Sequence, residues 1–348
     1  MKYISGKILQ ENGFVNGYIG FEKNKILEKG RGKAPTKPIC KGLILPSFVN
    51  FHTHIGDSFI RLRKIKLPKN IEKLVGPPDG LKHRLLKKAN EKEVIESMVN
   101  TINFMMKTGT NFFCDFRENG ITGLSKIKKA LKPFYISSMI LSRPEENNYK
   151  KNEIAKLLEK SEGIGISSIT DWDYTLVKKI AQETKRKQKI FALHASERIR
   201  EDIDLILDLK PDFLIHMTKA TDSDLKKVKE NDIPIVICPR SNSFFGMKPS
   251  YKLLKKTDIE TLIGTDNCMI ATPNIIEEIK FIRRQTNIFS LEELLAMISI
   301  SPRKVLNLSP CIPCQNSSAD FVILDPKSLD ILYIKKAGFI ERGMIDES

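Results

Sequence analysis

From residue 43 onward, short apolar runs rich in Ile, Val and Phe alternate with longer amphipathic, charged stretches. Eight runs read as strands: Leu43 to Phe51, Thr110 to Phe116, Phe134 to Leu141, Gly163 to Ile169, Lys189 to Leu193, Asp212 to Ile215, Pro234 to Cys238 and Glu260 to Gly264. Glu91 to Lys107, Leu176 to Lys187 and Leu291 to Leu306 carry helical periodicity. The last of these begins after Ser290 with Glu293 three residues on, a capping box. Strands that are apolar almost throughout suit a parallel sheet covered by helices. Eight such units predict an α/β fold, a (β/α)₈ TIM barrel rather than an open doubly wound sheet.

The two ends follow a different pattern. Residues 1–42 are short β-like pieces punctuated by glycine, and Phe321 to Leu324 and Leu332 to Ile334 are strand-like again. Neither end can build a core alone. We expect residues 1–44 and 310–348 to form one small β-sandwich beside a barrel spanning 45–309. The first connection, residues 55–90, is long and contains Pro68, Pro77 and Pro78, as a lid segment would.

Composition narrows the classes. With 41% hydrophobic residues in 348, the chain is too apolar for disorder. No run approaches the roughly 18 apolar residues of a membrane span, and charge and turn residues occupy Met1 to Gly13, where an export signal needs an apolar stretch. The cytoplasm is the expected location. Six cysteines are too dilute for a disulfide scaffold. The net charge of +16 raises the question of nucleic acid, but 44 Lys against 14 Arg are scattered and interleaved with Glu, as in Lys226 to Glu230. That is the pattern of solvated helix faces, so neither nucleic acid nor membrane is an expected partner. A small molecule is, with homo-oligomerisation left open.

Only five histidines exist, and four fall at the ends of predicted strands. His52 and His54 close the first strand two residues apart, hence on one side of it. His194 follows the fifth strand, His216 the sixth, and Asp266 the eighth. The steps 194 to 216, 216 to 238 and 238 to 266 are 22, 22 and 28 residues, each room for a strand, a helix and two loops. These positions recur around one rim, the carboxyl end where barrel enzymes work. Three His and one Asp meeting there offer ligands for Zn²⁺, Fe²⁺ or a similar divalent ion. Glu197, three residues past His194, reaches the space above such an ion and can pass protons. A buried, satisfied histidine is the competing reading of His216, and His-x-x-Glu on a di-iron helix that of His194 and Glu197. His83 is expected at the surface.

His52-Thr53-His54, His194-Ala195-Ser196-Glu197, His216, Cys238-Pro239-Arg240-Ser241-Asn242 and Gly264-Thr265-Asp266-Asn267 together resemble, in order and spacing, the amidohydrolase superfamily. The closest likeness is to its mononuclear aminohydrolase branch of adenosine-, cytosine-, guanine- and S-adenosylhomocysteine-type deaminases. The resemblance implies metal ligation by His52, His54, His194 and Asp266, with Glu197 as proton shuttle. His216 would orient the attacking water, and Asp266 would accept its proton. Binuclear relatives carry a lysine at the end of the fourth strand; Ile164 to Ile169 offers none, which favours one ion, zinc first.

The chain departs from the family pattern at Ser47, at Asp57-Ser58 and at Cys311 to Asn316. Pro310 to Cys314 mimics the Pro-Cys-x-x-Cys of another zinc deaminase class, but the His-x-Glu that class needs is missing. Arg117, Arg143, Arg240 and Asn242 follow strands and are the candidates for substrate contact, with salt bridges inside the rim as the alternative for each arginine. The resulting expectation is a deaminase of an amino-substituted N-heterocycle. Cyclic amide hydrolysis of the imidazolonepropionase kind, or a non-catalytic binding barrel, are the competing readings.

Overall fold

A computed structural model describes residues 1–308 and 317–336. The Cys311/Cys314 pair, the Cys311 to Asn316 turn and the distal part of the expected terminal domain lie outside the described residues. The chain opens with β1 (Lys2–Gln10), β2 (Gly13–Glu22), β3 (Lys25–Arg31) and β4 (Cys40–Pro46). The barrel strands follow: β5 (Phe48–His54), β6 (Thr110–Arg117), β7 (Ser137–Ser142), β8 (Gly163–Ile166), β9 (Ile190–Ala195), β10 (Phe213–His216), β11 (Ile235–Ile237), β12 (Thr261–Ile263) and β13 (Asp266–Asn267). Finally β14 (Phe321–Leu324) and β15 (Ile331–Lys335) return to the first sheet, whose order is β15-β14-β4-β1-β2-β3. Among the described residues no helix is long and apolar enough to cross a membrane.

The second sheet runs β12-β11-β10-β9-β8-β7-β6-β5-β13, parallel throughout. Its two outer members are consecutive in the chain. The eighth strand bends at Gly264-Thr265, so that β12 pairs with β11 while β13 pairs with β5, and the ring closes. Asn50 fastens the seam: its amide donates to Thr265 Oγ1 (2.8 Å) and its carbonyl accepts from Thr265 N (3.0 Å). The approach requires glycine at 264, where a Cβ would lie 2.6 Å from His52 Cβ and 2.8 Å from His52 N.

Side chains such as Val49, Phe51, Phe116, Phe213, Val236 and Leu262 fill the barrel interior. A larger apolar layer joins the outer strand faces to the helices. The first connection holds α1 (Ser58–Leu62), α2 (Ile71–Val75) and α3 (Leu81–Lys88) before the long α4 (Glu91–Lys107).

Two expected elements divide. The single strand over Leu43 to Phe51 is β4 and β5, separated at Ser47, whose hydroxyl bonds to Asp320 and whose carbonyl accepts from Arg303 (2.7 Å). The helix over Leu291 to Leu306 is two, Leu291–Ala296 and Ile300–Val305. The capping box at Ser290 is formed. Pro302 has no N–H for Ile298 O, which instead accepts from Val49 N (2.8 Å).

Candidate metal centre and active site

The ends of β5, β9, β10 and β13 meet at the barrel mouth. Ladder irregularities between Asn50 and Thr53 in β5 turn both Phe51 and His52 inward, so that His52 packs 4.6 Å from the Phe116 ring. His216 and Asp266 adopt φ of 77° and 60°. Non-glycine residues rarely sit there, and such strain concentrates at functional sites.

His52 Nε2 stands 3.2 Å from His194 Nε2 and 3.3 Å from Asp266 Oδ1. His54 Nε2 stands 3.3 Å from His194 Nε2 and 3.4 Å from Asp266 Oδ1. His52, His194, His216 and Asp266 each bring one ligand atom within 4.8 Å of the others.

The far side of each ring fixes where its proton lies. His194 Nδ1 faces Ile166 O at 2.8 Å. His54 Nδ1 faces Glu118 Oε1 at 2.8 Å and Phe116 O at 3.2 Å. These partners only accept, so in the neutral rings Nδ1 carries the hydrogen and Nε2 a lone pair. His54 Nε2 therefore presents a lone pair to two other atoms that carry no hydrogen, His194 Nε2 and Asp266 Oδ1. His216 is the reverse: Asn242 Nδ2 donates to its Nδ1 (3.1 Å), leaving hydrogen on Nε2, 3.4 Å from Glu197 Oε2.

These residues fit a divalent ion. Two ligands each about 2.0–2.1 Å from a tetrahedral zinc lie about 3.3 Å apart, and four separations within this set, His52 and His54 each to His194 and to Asp266, are 3.2–3.4 Å and match that spacing.

Burial shapes the charges. It pushes His54 down to about 3, with help from the charge of Lys82, and His216 down to about 4. His194 is lowered by burial and by the three neighbouring histidines. Burial opposes ionisation of Asp266, but the His52 hydrogen bond and the surrounding imidazoles outweigh it and hold Asp266 well below the usual carboxylate range. Glu197 goes the other way: burial and the Asp266 charge raise it well above the usual carboxylate range, which favours its protonated form. Asn242 Nδ2 donates to Glu197 Oε1 as well (3.0 Å), and Ser241 donates to Asp266 Oδ2 (2.5 Å).

Above the cluster opens a cavity of about 100 Å³. Its polar wall includes Lys82, Arg143, Ser167, Glu197 and Asn267, and its apolar rim Ile71, Val75 and Phe245.

The three expected substrate contacts Arg117, Arg240 and Asn242 lie off the cavity wall. Arg117 is buried and paired with Asp115 (3.2 Å) and Glu118 (2.5 Å), off the cavity wall. Arg240 binds Glu278 (2.6 Å) and Thr272 O (2.7 Å), also off it. Asn242 lies behind Glu197 and His216 rather than on the wall. The guanidinium groups that line the cavity are Arg143 and Arg198, the latter paired with Glu72 on α2. His83 is not at the surface: it is buried, 3.1 Å from Val75 O, and its pKa falls to about 4 through burial and the charges of Arg143 and Lys82. Sequence reasoning missed Glu118 and Lys82. The first had a signal, a third charged residue closing an otherwise apolar strand at Asp115-Phe116-Arg117-Glu118; the second, on a polar helix, had none.

Residues 43–346 match the Amidohydrolase family. An uncharacterized protein of Methanocaldococcus jannaschii is 35% identical, over 88% of this chain and 82% of its own. A 5-methylthioadenosine/S-adenosylhomocysteine deaminase of Caldicellulosiruptor saccharolyticus is 25% identical, over 94% and 82%. Among solved structures, Helicobacter pylori aminofutalosine deaminase in complex with methylthio-coformycin superposes with a TM-score of 0.73 at 16% identity, covering 93% of this chain and 92% of that one. A zinc-bound adenosine deaminase of Xanthomonas campestris gives 0.73 at 14% identity, covering 94% and 85%. The chain belongs to the amidohydrolase family and is a hydrolase of carbon–nitrogen bonds.

Proposed function

We propose that the chain is a metal-dependent hydrolytic deaminase of an amino-substituted nitrogen heterocycle, working in the cytoplasm with one zinc ion. The supporting observation is four separations of 3.2–3.4 Å within His52, His54, His194 and Asp266, the spacing of ligands around one ion, beside Glu197, whose pKa burial raises. His52, His54, His194 and Asp266 would hold the ion. When bound, it supplies Lewis acidity that brings the pKa of a water towards neutrality.

The remaining chemistry belongs to the protein. Asp266, ionised at neutral pH, takes the proton of the attacking water. His216 donates from Nε2 to that water's oxygen, its tautomer set by Asn242. Glu197 delivers its proton to the ring nitrogen next to the carbon under attack, so that the ring accepts the electron pair. Asn242 holds Glu197 and His216 in one arrangement. Asp266 passes its proton to the amino group, Glu197 takes back a proton from the added hydroxyl, the carbon–nitrogen bond breaks, ammonia leaves and a ring carbonyl remains. Arg143 on the wall supplies hydrogen-bond donors to the heterocycle or its substituent.

Release of ammonia from a panel of aminopurines, aminopyrimidines and aminopterins tests the reading, with cyclic amides as the competing substrates. Glu197→Gln should lower kcat by about 10²–10⁴-fold while zinc stays bound. Ring opening of a cyclic amide without ammonia, or a rate indifferent to that substitution, would overturn it.

A further inference from the structure

Glu118 and Lys82 form a buried pair that the reaction above does not use, yet one or the other touches the machinery on two sides. Glu118 Oε1 lies 2.8 Å from His54 Nδ1, nearer than the Phe116 carbonyl at 3.2 Å. Lys82 Nζ lies 2.5 Å from the same oxygen and donates to Asn267 Oδ1 (2.9 Å), whose Nδ2 in turn donates to Asp266 Oδ1 (2.9 Å). Lys82 is only 2% exposed although it sits on α3, in the long first connection. Lysines are seldom buried to that degree unless paired. One ammonium thus reaches, one residue removed in each direction, a ring on the first barrel strand and a carboxylate on the last.

We propose, resting on the metal-dependent reading, that Glu118 is a positioning residue of the metal centre and that Lys82 couples it to Asp266. Phe116 O takes the Nδ1 hydrogen of His54 (3.2 Å), while the carboxylate, 2.8 Å from Nδ1, sets a negative charge beside the ring that makes Nε2 a better donor to a cation. Lys82 fixes the carboxylate oxygen that does this. Through Asn267 it also steadies Asp266 Oδ1, the oxygen 3.3–3.4 Å from His52 and His54. Orientation of both ligands then depends on α3 being docked.

Two substitutions separate reach from charge: Glu118→Asp keeps the charge but withdraws the carboxylate, and Glu118→Gln keeps the reach but removes the charge. With full-length protein stripped of metal and reloaded, zinc affinity is read by chelator competition and ligand geometry by the visible spectrum of the cobalt-loaded form. The melting temperature without metal reports the fold. Both variants should weaken zinc binding by about 10–100-fold and alter the cobalt spectrum, and Lys82→Met should weaken it by about tenfold. If the Gln variant fails to fold because three cations are left facing two carboxylates, the Asp variant decides. A lower metal-free melting temperature with unchanged zinc affinity and cobalt spectrum would mean that Glu118 only stabilises the fold, and would overturn the proposal while leaving the metal site standing. A wild-type chain that takes up no zinc would overturn both.

Discussion

Two buried polar assemblies share the β5–β6 edge of the barrel and are built on opposite principles. In the first, Lys82, Arg117 and Arg143 face the carboxyl groups of Asp57, Asp115 and Glu118, each cation within 4 Å of at least one of them, with burial raising Asp57 to about 7. In the second, the Nε2 lone pair of His54 faces those of His194 at 3.3 Å and of Asp266 at 3.4 Å. Burial penalises both arrangements; opposite charges offset it in the first and donors from Asn267 and Ser241 offset it at Asp266, but the facing His54 and His194 lone pairs have no such offset. The difference teaches where to look for a ligand: a balanced network needs none, whereas converging acceptors call for a cation. Glu118 belongs to both assemblies and so ties the balanced one to the other.

The largest effect expected from breaking this contrast is at the unbalanced cluster. His194→Ala or Asp266→Asn should bring bound zinc, measured by elemental analysis, to background, with activity lost alongside. Because removal of a facing lone pair also relieves repulsion, the metal-free form of either variant should melt no lower than the metal-free wild type.

Substitution of a balanced pair should act in the opposite sense. Arg240→Met leaves Glu278, which is fully buried, without its guanidinium, and should cost about 3–5 kcal/mol of stability in denaturant unfolding. KM should stay within about twofold, since Arg240 is off the cavity wall. Arg143→Met should instead raise KM by about tenfold or more, the usual worth of a hydrogen bond from a charged group. Equal KM values for the two variants would erase the distinction drawn between them.

The smallest effect concerns a third arrangement, a buried cation held by carbonyls alone. Lys336 donates to Met106 O (2.5 Å) and Thr110 O (3.2 Å), and burial lowers its pKa to about 8. The unfolded chain keeps that proton to about pH 10.4. Between these values the unfolded state binds more protons, so stability attributable to Lys336 rises with pH, by roughly 3 kcal/mol across the window. Comparing wild type with Lys336→Met by denaturant unfolding at pH 7.5 and 10 isolates this contribution; identical pH slopes would refute it.

Much of this was legible in the chain. Eight apolar runs marked the barrel strands, and the regular steps between His194, His216 and Asp266 placed them on one rim, because period and spacing are local properties. The division at Ser47 was not, since it depends on Asp320 and Arg303, more than 250 residues away. Arg117 and Arg240 were misjudged for a related reason: an arginine at a strand end reads the same whether it points at solvent or at a carboxylate, and only the fold brings Glu278 to Arg240. His83 sits in a run of basic residues that looks exposed, and only the docking of α3 against α2 buries it. The tautomers of His54 and His194, on which the ion-binding argument turns, are set by Phe116 O and Ile166 O, backbone partners that no side-chain pattern reveals.

The bend at Gly264-Thr265 makes the last segment to join the ring the same one that bears Asp266. An occupant gripped by Asp266 together with His52 and His54 would therefore act as a clasp across the seam, lending its binding energy to closure itself. Loss of the occupant should loosen that junction before any other part of the wall, with earliest amide exchange at residues 264–267.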